Sequence, residues 1–225
     1  PLVHGHEITG EIIELGKNIK HLKIGDTVAV NNVIHCKKCF WCFNGQGGAC
    51  QSMKVAGFAL DGGLSEYMRW PSSHLIKISD GIPKKYGALI EPSTVATHAI
   101  RKSGVKPGDN VAVVGCGTVG LLTVQVLKAS GAIVTAVDIR SESLELAKTF
   151  GADYVYDSSK NDFVDYLLSI TGGIGHDIVF ETAGAQMAPK ISIDITRRGG
   201  KTILVGIYSK ADSYTHLTLP TNREV

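Results

Sequence analysis

Four of the five cysteines in this 225-residue chain fall within the single stretch "CKKCFWCFNGQGGAC", at Cys36, Cys39, Cys42 and Cys50. Three side chains at intervals of three cannot share one face of a strand, where side chains alternate with a period of two, so these thiols need a common centre off any sheet. Four thiolates held tetrahedrally around Zn²⁺ at about 2.3 Å supply one. Gly45, Gly47 and Gly48 then let the backbone turn tightly enough to bring Cys50 back. Protein fills all four positions, so zinc held there is structural, with no position left for a substrate. Disulfides compete, but they are rare in reducing compartments. An iron–sulfur cluster also competes, with spacings that differ from this one. Lys37 and Lys38 either offset the charge of a four-thiolate site or stand as solvated lysines, and Cys116, in a glycine turn, reads as a small buried filler.

Around this loop the chain changes grammar. From Ile8 to about Ile78, short β-type runs are broken by glycine: "ITGEIIELG", "DTVAVNNVI", "SEYMRW" and "HLIKIS". This half predicts a small barrel or sandwich. After Pro83, strands alternate with helical stretches. "NVAVVG", "AIVTAVD", "HDIVFETAG" and "KTILVGI" read as strands, and "TVGLLTVQVLKAS" carries helical spacing. "SESLELAKTFG" reads as a helix capped by Ser141 and closed by Gly151. Such alternation predicts a doubly wound parallel sheet with crossover helices on both faces. The expected division is 1–92 for the β domain and 93–212 for the α/β domain. Hydrophobic residues make up 44% of the chain, enough for a sizeable core, and the net charge of +2 is spread evenly. That balance argues against a nucleic-acid partner or a polybasic membrane patch. No signal peptide and no apolar run of about 18 residues appears, so a cytoplasmic location is expected.

"VAVVGCGTVG" places Gly115, Gly117 and Gly120 as G-x-G-x-x-G between a strand and a helix, with Thr118 and Val119 at the helix start. In the dinucleotide fingerprint the first glycine permits the tight turn, the second lets backbone approach a pyrophosphate, and the third lets helix and strand pack closely. The phosphates then meet unpaired N–H groups at the helix N-terminus. The second strand ends at Asp138, which is expected to bond the adenosine ribose hydroxyls and to favour NAD over NADP. Arg140, two residues on, weakens that preference or is simply a solvated helix-start residue.

"GHE" at Gly5–Glu7 is uninformative alone. Joined to "GHEITGEIIELG", "LKIGDTV", "DGGLSEYM", "ALIEPSTVATHAI", the cysteine loop and the glycine fingerprint, it makes the chain closely resemble the zinc-dependent medium-chain alcohol dehydrogenases over residues 1 to about 207. The "EP" motif resembles their polyol and butanediol branch, which includes the sorbitol dehydrogenases. The resemblance implies a GroES-like catalytic domain followed by a Rossmann domain, with one structural and one catalytic zinc. It implies catalytic-zinc ligation by His6, with Glu7 adjacent and Glu91 at the third metal position. Read without that family context, Glu91 is a carboxylate at a helix start. The resemblance also puts Thr182 and Val205 near the nicotinamide, where the carboxyl ends of strands in open sheets bind ligands. The implied activity is hydride transfer from a secondary alcohol, diol or polyol to NAD, at a zinc whose open position polarises the alcohol oxygen. A homo-oligomer is implied for the full-length protein.

The chain starts at Pro1 with its apolar pattern already under way, so it reads as a fragment whose first zinc ligand, a cysteine, is expected upstream. The codons TCT TAT ACA CAT CTG ACG CTG CCG ACG translate as Ser213 to Thr221 and resemble a sequencing-library adaptor. Residues 213–225 are therefore expected to be a non-native tail. Two other function classes compete. One is a zinc-stabilised nucleotide-binding protein or inactive fragment that lacks the upstream cysteine. The other is a zinc-ribbon nucleic-acid module, opposed by the charge, the single lobe and the attached dinucleotide fold. His4, His35, His74 and His98 have no partner at metal-ligand spacing and suit surface or packing roles.

Overall fold

A computed structural model describes residues 1–160 and 162–208. The chain forms two compact units, Pro1–Thr94 and the residues from Val95 onward. The expected tail at 213–225 lies outside the described residues.

In the first unit β1 (Thr9–Glu11), β2 (Thr27–Val30) and β5 (Leu75–Lys77) form an antiparallel sheet in the order β1-β2-β5. β3 (Val33–Ile34) pairs separately with β4 (Lys54–Val55). Val28 and Val30 lie two apart on one face of β2, and each enters a small core: Val28 joins Ile12 and Leu22, while Val30 joins Ile8 and Ala56. The continuous strand expected over "DTVAVNNVI" is broken between β2 and β3. There Asn31 gives its N–H to the His74 carbonyl and accepts the Val33 N–H on its own side chain. "SEYMRW" forms no strand. Met68 and Trp70 pack against the Ile8 core instead, and the Trp70 indole donates to the Asn31 carbonyl.

In the second unit β6 (Asn110–Val114), β7 (Ile133–Asp138), β8 (Tyr154–Asp157), β9 (His176–Glu181) and β10 (Thr196–Leu204) form the expected parallel sheet, in the order β10-β9-β6-β7-β8. Alternation along β6 shows why both faces are covered. Val111 and Val113 enter a core with Leu127 of α3 (Thr118–Ala129) and Leu144 of α4 (Ser141–Thr149). Ala112 and Val114 enter a second core with Leu167 of α5 (Phe163–Ser169) and Ala188 of α6 (Ala188–Asp194). The chain steps from β6 to β7 and β8 on one side and to β9 and β10 on the other, so the topological switch lies between β6 and β9. Ser141 is not a cap: Arg140 holds the N-cap position of α4 and no side chain bonds the helix end. Gly151 does take the left-handed conformation just past that helix, at φ 98°.

His176 is fully buried at the start of β9. Its Nδ1 lies 3.4 Å from the Ile195 carbonyl and its Nε2 3.3 Å from the Thr135 hydroxyl. Burial outweighs the Ile195 carbonyl and nearby Asp177 and pulls its pKa below 6.5. The unfolded chain therefore binds this proton more readily than the folded one. The contribution of His176 to the stability of the second unit is full well above pH 6.5 and is lost as the pH falls through and below that value. Urea unfolding between pH 5 and 8 should show this acid-side loss, and His176→Gln should flatten the slope. An unchanged slope in the variant would exclude His176 as its source.

Candidate functional site

The thiol loop is built from one helical turn, α1 (Phe40–Phe43), and a 3-10 turn over Gly47–Ala49. It brings Cys36, Cys39, Cys42 and Cys50 together, with all four sulfurs within 4.8 Å of one another. The Cys39 and Cys42 sulfurs lie 3.5 Å apart, and those of Cys36 and Cys42 lie 4.0 Å apart. Zinc–sulfur bonds of about 2.3 Å in a tetrahedron need sulfurs about 3.8 Å apart, whereas a disulfide needs about 2.05 Å. The four therefore fit one zinc and no disulfide. The Cys42 N–H lowers the pKa of Cys39 and the Cys36 N–H lowers that of Cys50, while burial raises that of Cys42. A cation is the remaining ingredient that lets all four ionise. Of the glycines expected to shape the turn, Gly45 adopts φ 70° and Gly47 lies against the His35 ring. A Cβ at Gly48 would meet open space, so that position does not require glycine.

A second donor set forms wholly within the first unit. One ligand atom each from His6, Glu7 and Glu91 lies within 4.8 Å of the others, close enough for one zinc to reach all three at about 2.0–2.2 Å after small side-chain rotations. Glu91 stands on the first turn of α2 (Ile90–Ser103). His6 is positioned by backbone pressed on backbone. Gly62, Gly63 and Leu64 give their N–H groups to the Val3, Gly5 and His4 carbonyls, and the Asp61 carboxylate accepts the Val3 N–H at 3.0 Å. Side chains at Gly57 and Gly62 would strike the Gly5 backbone, and Gly5 itself has φ 96°. The "DGGL" run thus acts as the seat of the "GHE" turn.

Sequence reasoning missed Asn32. Its side chain, 5% exposed, donates to the His6 carbonyl at 3.1 Å and to Glu91 Oε1 at 3.2 Å, tying two of the three donors together. The only signal was a polar pair inside an otherwise apolar run.

In the second unit Gly115 and Gly117 lie in the turn from β6 to α3, and Thr118, Val119 and Gly120 open the helix. Gly115 has φ 99°, and a side chain there would meet the Ala183 backbone at 2.5 Å. A Cβ on Gly120 would collide with the Gly115 carbonyl. Gly117, at the N-cap, is different: nothing lies within 4 Å of where its Cβ would be. The tight turn and close packing are thus properties of the fold, while the space at Gly117 is left for something else. Asp138 ends β7, 8% exposed, and accepts the Cys116 N–H at 2.6 Å on Oδ2. Its Oδ1 accepts the Arg140 N–H at 2.9 Å and the Arg140 Nε–H at 3.3 Å. Burial raises the Asp138 pKa, but these donors outweigh it and hold the carboxyl below 3.8, so it is charged at neutral pH.

Thr182 points back into the same turn. Its hydroxyl donates to the Gly115 carbonyl at 2.6 Å, and Val205 packs against the core behind β6. Glu181, missed in the sequence, is fully buried between them. Its Oε1 accepts the Ala183 and Gly184 N–H groups at 2.9 and 2.8 Å, and Tyr208 bonds its Oε2. Cys116 is buried as expected, and burial pushes its thiol up to about 12, which makes it inert. No described helix is long and apolar enough to cross a membrane.

Comparison with known proteins is consistent with both units. The alcohol dehydrogenase GroES-like domain matches residues 1–80, and the zinc-binding dehydrogenase model matches residues 118–225. An uncharacterized zinc-type alcohol dehydrogenase-like protein of Haemophilus influenzae is 34% identical over 99% of this chain and 64% of its own length. The (R,R)-butanediol dehydrogenase of Bacillus subtilis is 36% identical over 93% of this chain and 60% of its own. A crystal structure of a zinc-binding dehydrogenase from Sinorhizobium meliloti, bound to NADP, superposes with a TM-score of 0.90 at 29% identity, covering 95% of this chain and 63% of that one. The chain spans about three-fifths of the length of the curated relatives it matches. With a GroES-like β unit, a parallel nucleotide-type sheet and two clustered donor sets, the chain belongs to the zinc-type medium-chain alcohol dehydrogenase family.

Proposed function

We propose that this chain carries the metal-binding and dinucleotide-binding framework of a zinc-dependent oxidoreductase that moves hydride from a secondary alcohol, diol or polyol to NAD. The convergence of His6, Glu7 and Glu91 carries the reading, because a histidine beside carboxylates suits a catalytic zinc, whereas the four thiols fill a structural one. When bound, the zinc supplies Lewis acidity toward an alcohol oxygen and the nicotinamide supplies the hydride acceptor.

The chain's own residues do the placing. Asn32 holds Glu91 against the His6 backbone, so that the donor set is arranged before any ligand arrives. Gly117 leaves room for a pyrophosphate over the first N–H groups of α3, whose dipole favours the negative charge. Asp138 stays ionised and offers its carboxylate to a ribose hydroxyl. The same carboxylate would repel a 2′-phosphate, with Arg140 moderating that repulsion. A cytoplasmic setting belongs to the same proposal, supported by thiols left unpaired, as does self-association of the full-length protein.

Purified with zinc, the chain should hold a tight equivalent that Cys42→Ser removes and a second that His6→Ala removes. Asn32→Ala should weaken the second by about 10–100-fold in metal affinity and leave the first unchanged. Equal loss at both sites would show that Asn32 supports the unit as a whole and not the donor set. For the cradle, Gly117→Val should abolish NADH binding, read by fluorescence, with no change in melting temperature. Gly120→Ala should destabilise the unit by about 1–3 kcal/mol, because its Cβ has nowhere to go. The full-length protein should oxidise at least one member of a panel of diols and polyols with NAD. Two zinc ions per subunit without activity on any alcohol would reject the assignment.

A further inference from the structure

We infer that Phe58 selects the substrate at the His6–Glu7–Glu91 site, favouring a secondary alcohol or vicinal diol whose flanking carbons are alkyl over a polyol hydroxylated at every carbon. This rests on the dehydrogenase reading above. The Phe58 ring centroid lies 5.1 Å from that of His6, with the planes tilted by 56°. Yet Phe58 is 67% exposed, and Leu64, seated against Gly5 of the same turn, is 77% exposed. Two large apolar side chains thus stand in water close to the turn that bears His6.

Their positions are set by the backbone. The Phe58 N–H bonds the Val55 carbonyl at 3.2 Å and the Gly57 N–H bonds the Leu60 carbonyl at 2.7 Å. Gly57, at φ 77°, is pressed against the Gly5 backbone, where a side chain would collide. The loop bearing Phe58 is therefore locked to the turn bearing His6. On the inner side, the buried Asn32 amide occupies the space beside His6 and Glu91. Glu7 is exposed. Glu7 and Phe58 both meet solvent, which leaves a route to the donor set past the phenyl ring. A hydroxyl that reaches the donors from there brings its neighbouring carbons against the phenyl ring. Alkyl carbons gain contact and leave water, while hydroxylated carbons give up water for a surface that offers no hydrogen bond. Such discrimination by an apolar wall is worth about tenfold or more.

The test uses the protein loaded with zinc and NAD, as wild type, Phe58→Thr and Phe58→Leu. Dissociation constants for 2,3-butanediol and xylitol come from saturation-transfer NMR, and kcat/KM for each is measured alongside. Wild type should prefer butanediol by about tenfold or more; Phe58→Thr should narrow that ratio by about tenfold, chiefly through butanediol, and Phe58→Leu should keep it. Zinc content and melting temperature should be unchanged in both variants, since most of the ring is exposed. Three results overturn the inference while leaving the dehydrogenase reading standing: no preference in wild type, an equal loss for both alcohols in Phe58→Thr, or loss of zinc from that variant. If wild type binds and oxidises neither alcohol nor any other on the panel, both readings fall together.

Discussion

In both units the chemistry depends on backbone meeting backbone with no Cβ between. Gly57 and Gly62 press on Gly5 and so set the turn that presents His6. Gly115 presses on Ala183, and Gly120 on the Gly115 carbonyl, and these contacts set the turn that opens onto α3. A side chain at any of these positions would force apart two chain segments that are packed elsewhere by cores on one or both faces. The glycines cost conformational entropy, which the close backbone contacts they permit must offset.

Polar groups near these turns are bonded inward. Asn32, Thr182 and Glu181 each spend their hydrogen bonds on a neighbouring loop: Asn32 on His6 and Glu91, Thr182 on the glycine turn, Glu181 on the backbone that follows β9. Buried and satisfied, such groups specify one arrangement, whereas a lone missing partner would leave a costly unpaired atom. Among the described residues, only the Ser192 hydroxyl, in α6, is buried without a partner.

What could be read from the residues alone divides along physical lines. The cysteine loop was legible because ligand chemistry admits few spacings and the four thiols lie within fifteen residues of one another. The parallel sheet was legible because apolar runs such as "NVAVVG" are covered on both faces. The shorter elements were not. "SEYMRW" has strand composition, but Met68 and Trp70 are used as core plugs, and β8, half-exposed at the sheet edge, carries no continuous apolar run. Ser141 looked like a cap because composition shows a hydroxyl near a helix start and not where the helix begins. Asn32 and Glu181 were hidden for a different reason. Their partners are 59 and 2–3 residues away respectively, and an isolated Asn or Glu carries no sign of which loop it will brace.

Asp138 is limited in the same way by the hydrogen bonds it already accepts. A carboxylate has about four acceptor sites. Arg140 takes two on Oδ1 through its N–H and Nε–H, and Cys116 takes one on Oδ2. What remains for a ribose is a single direct acceptor unless the Arg140 side chain moves aside. That side chain is 59% exposed and linked only through a 3.3 Å contact, so displacing it costs little, in keeping with the small worth of exposed ion pairs. The Cys116 N–H cannot move without unseating the glycine turn. Under the proposed cofactor reading, discrimination at this strand end would turn on Arg140: leaning on Asp138 it would lessen the charge a 2′-phosphate meets, and displaced it would leave the full carboxylate to the ribose.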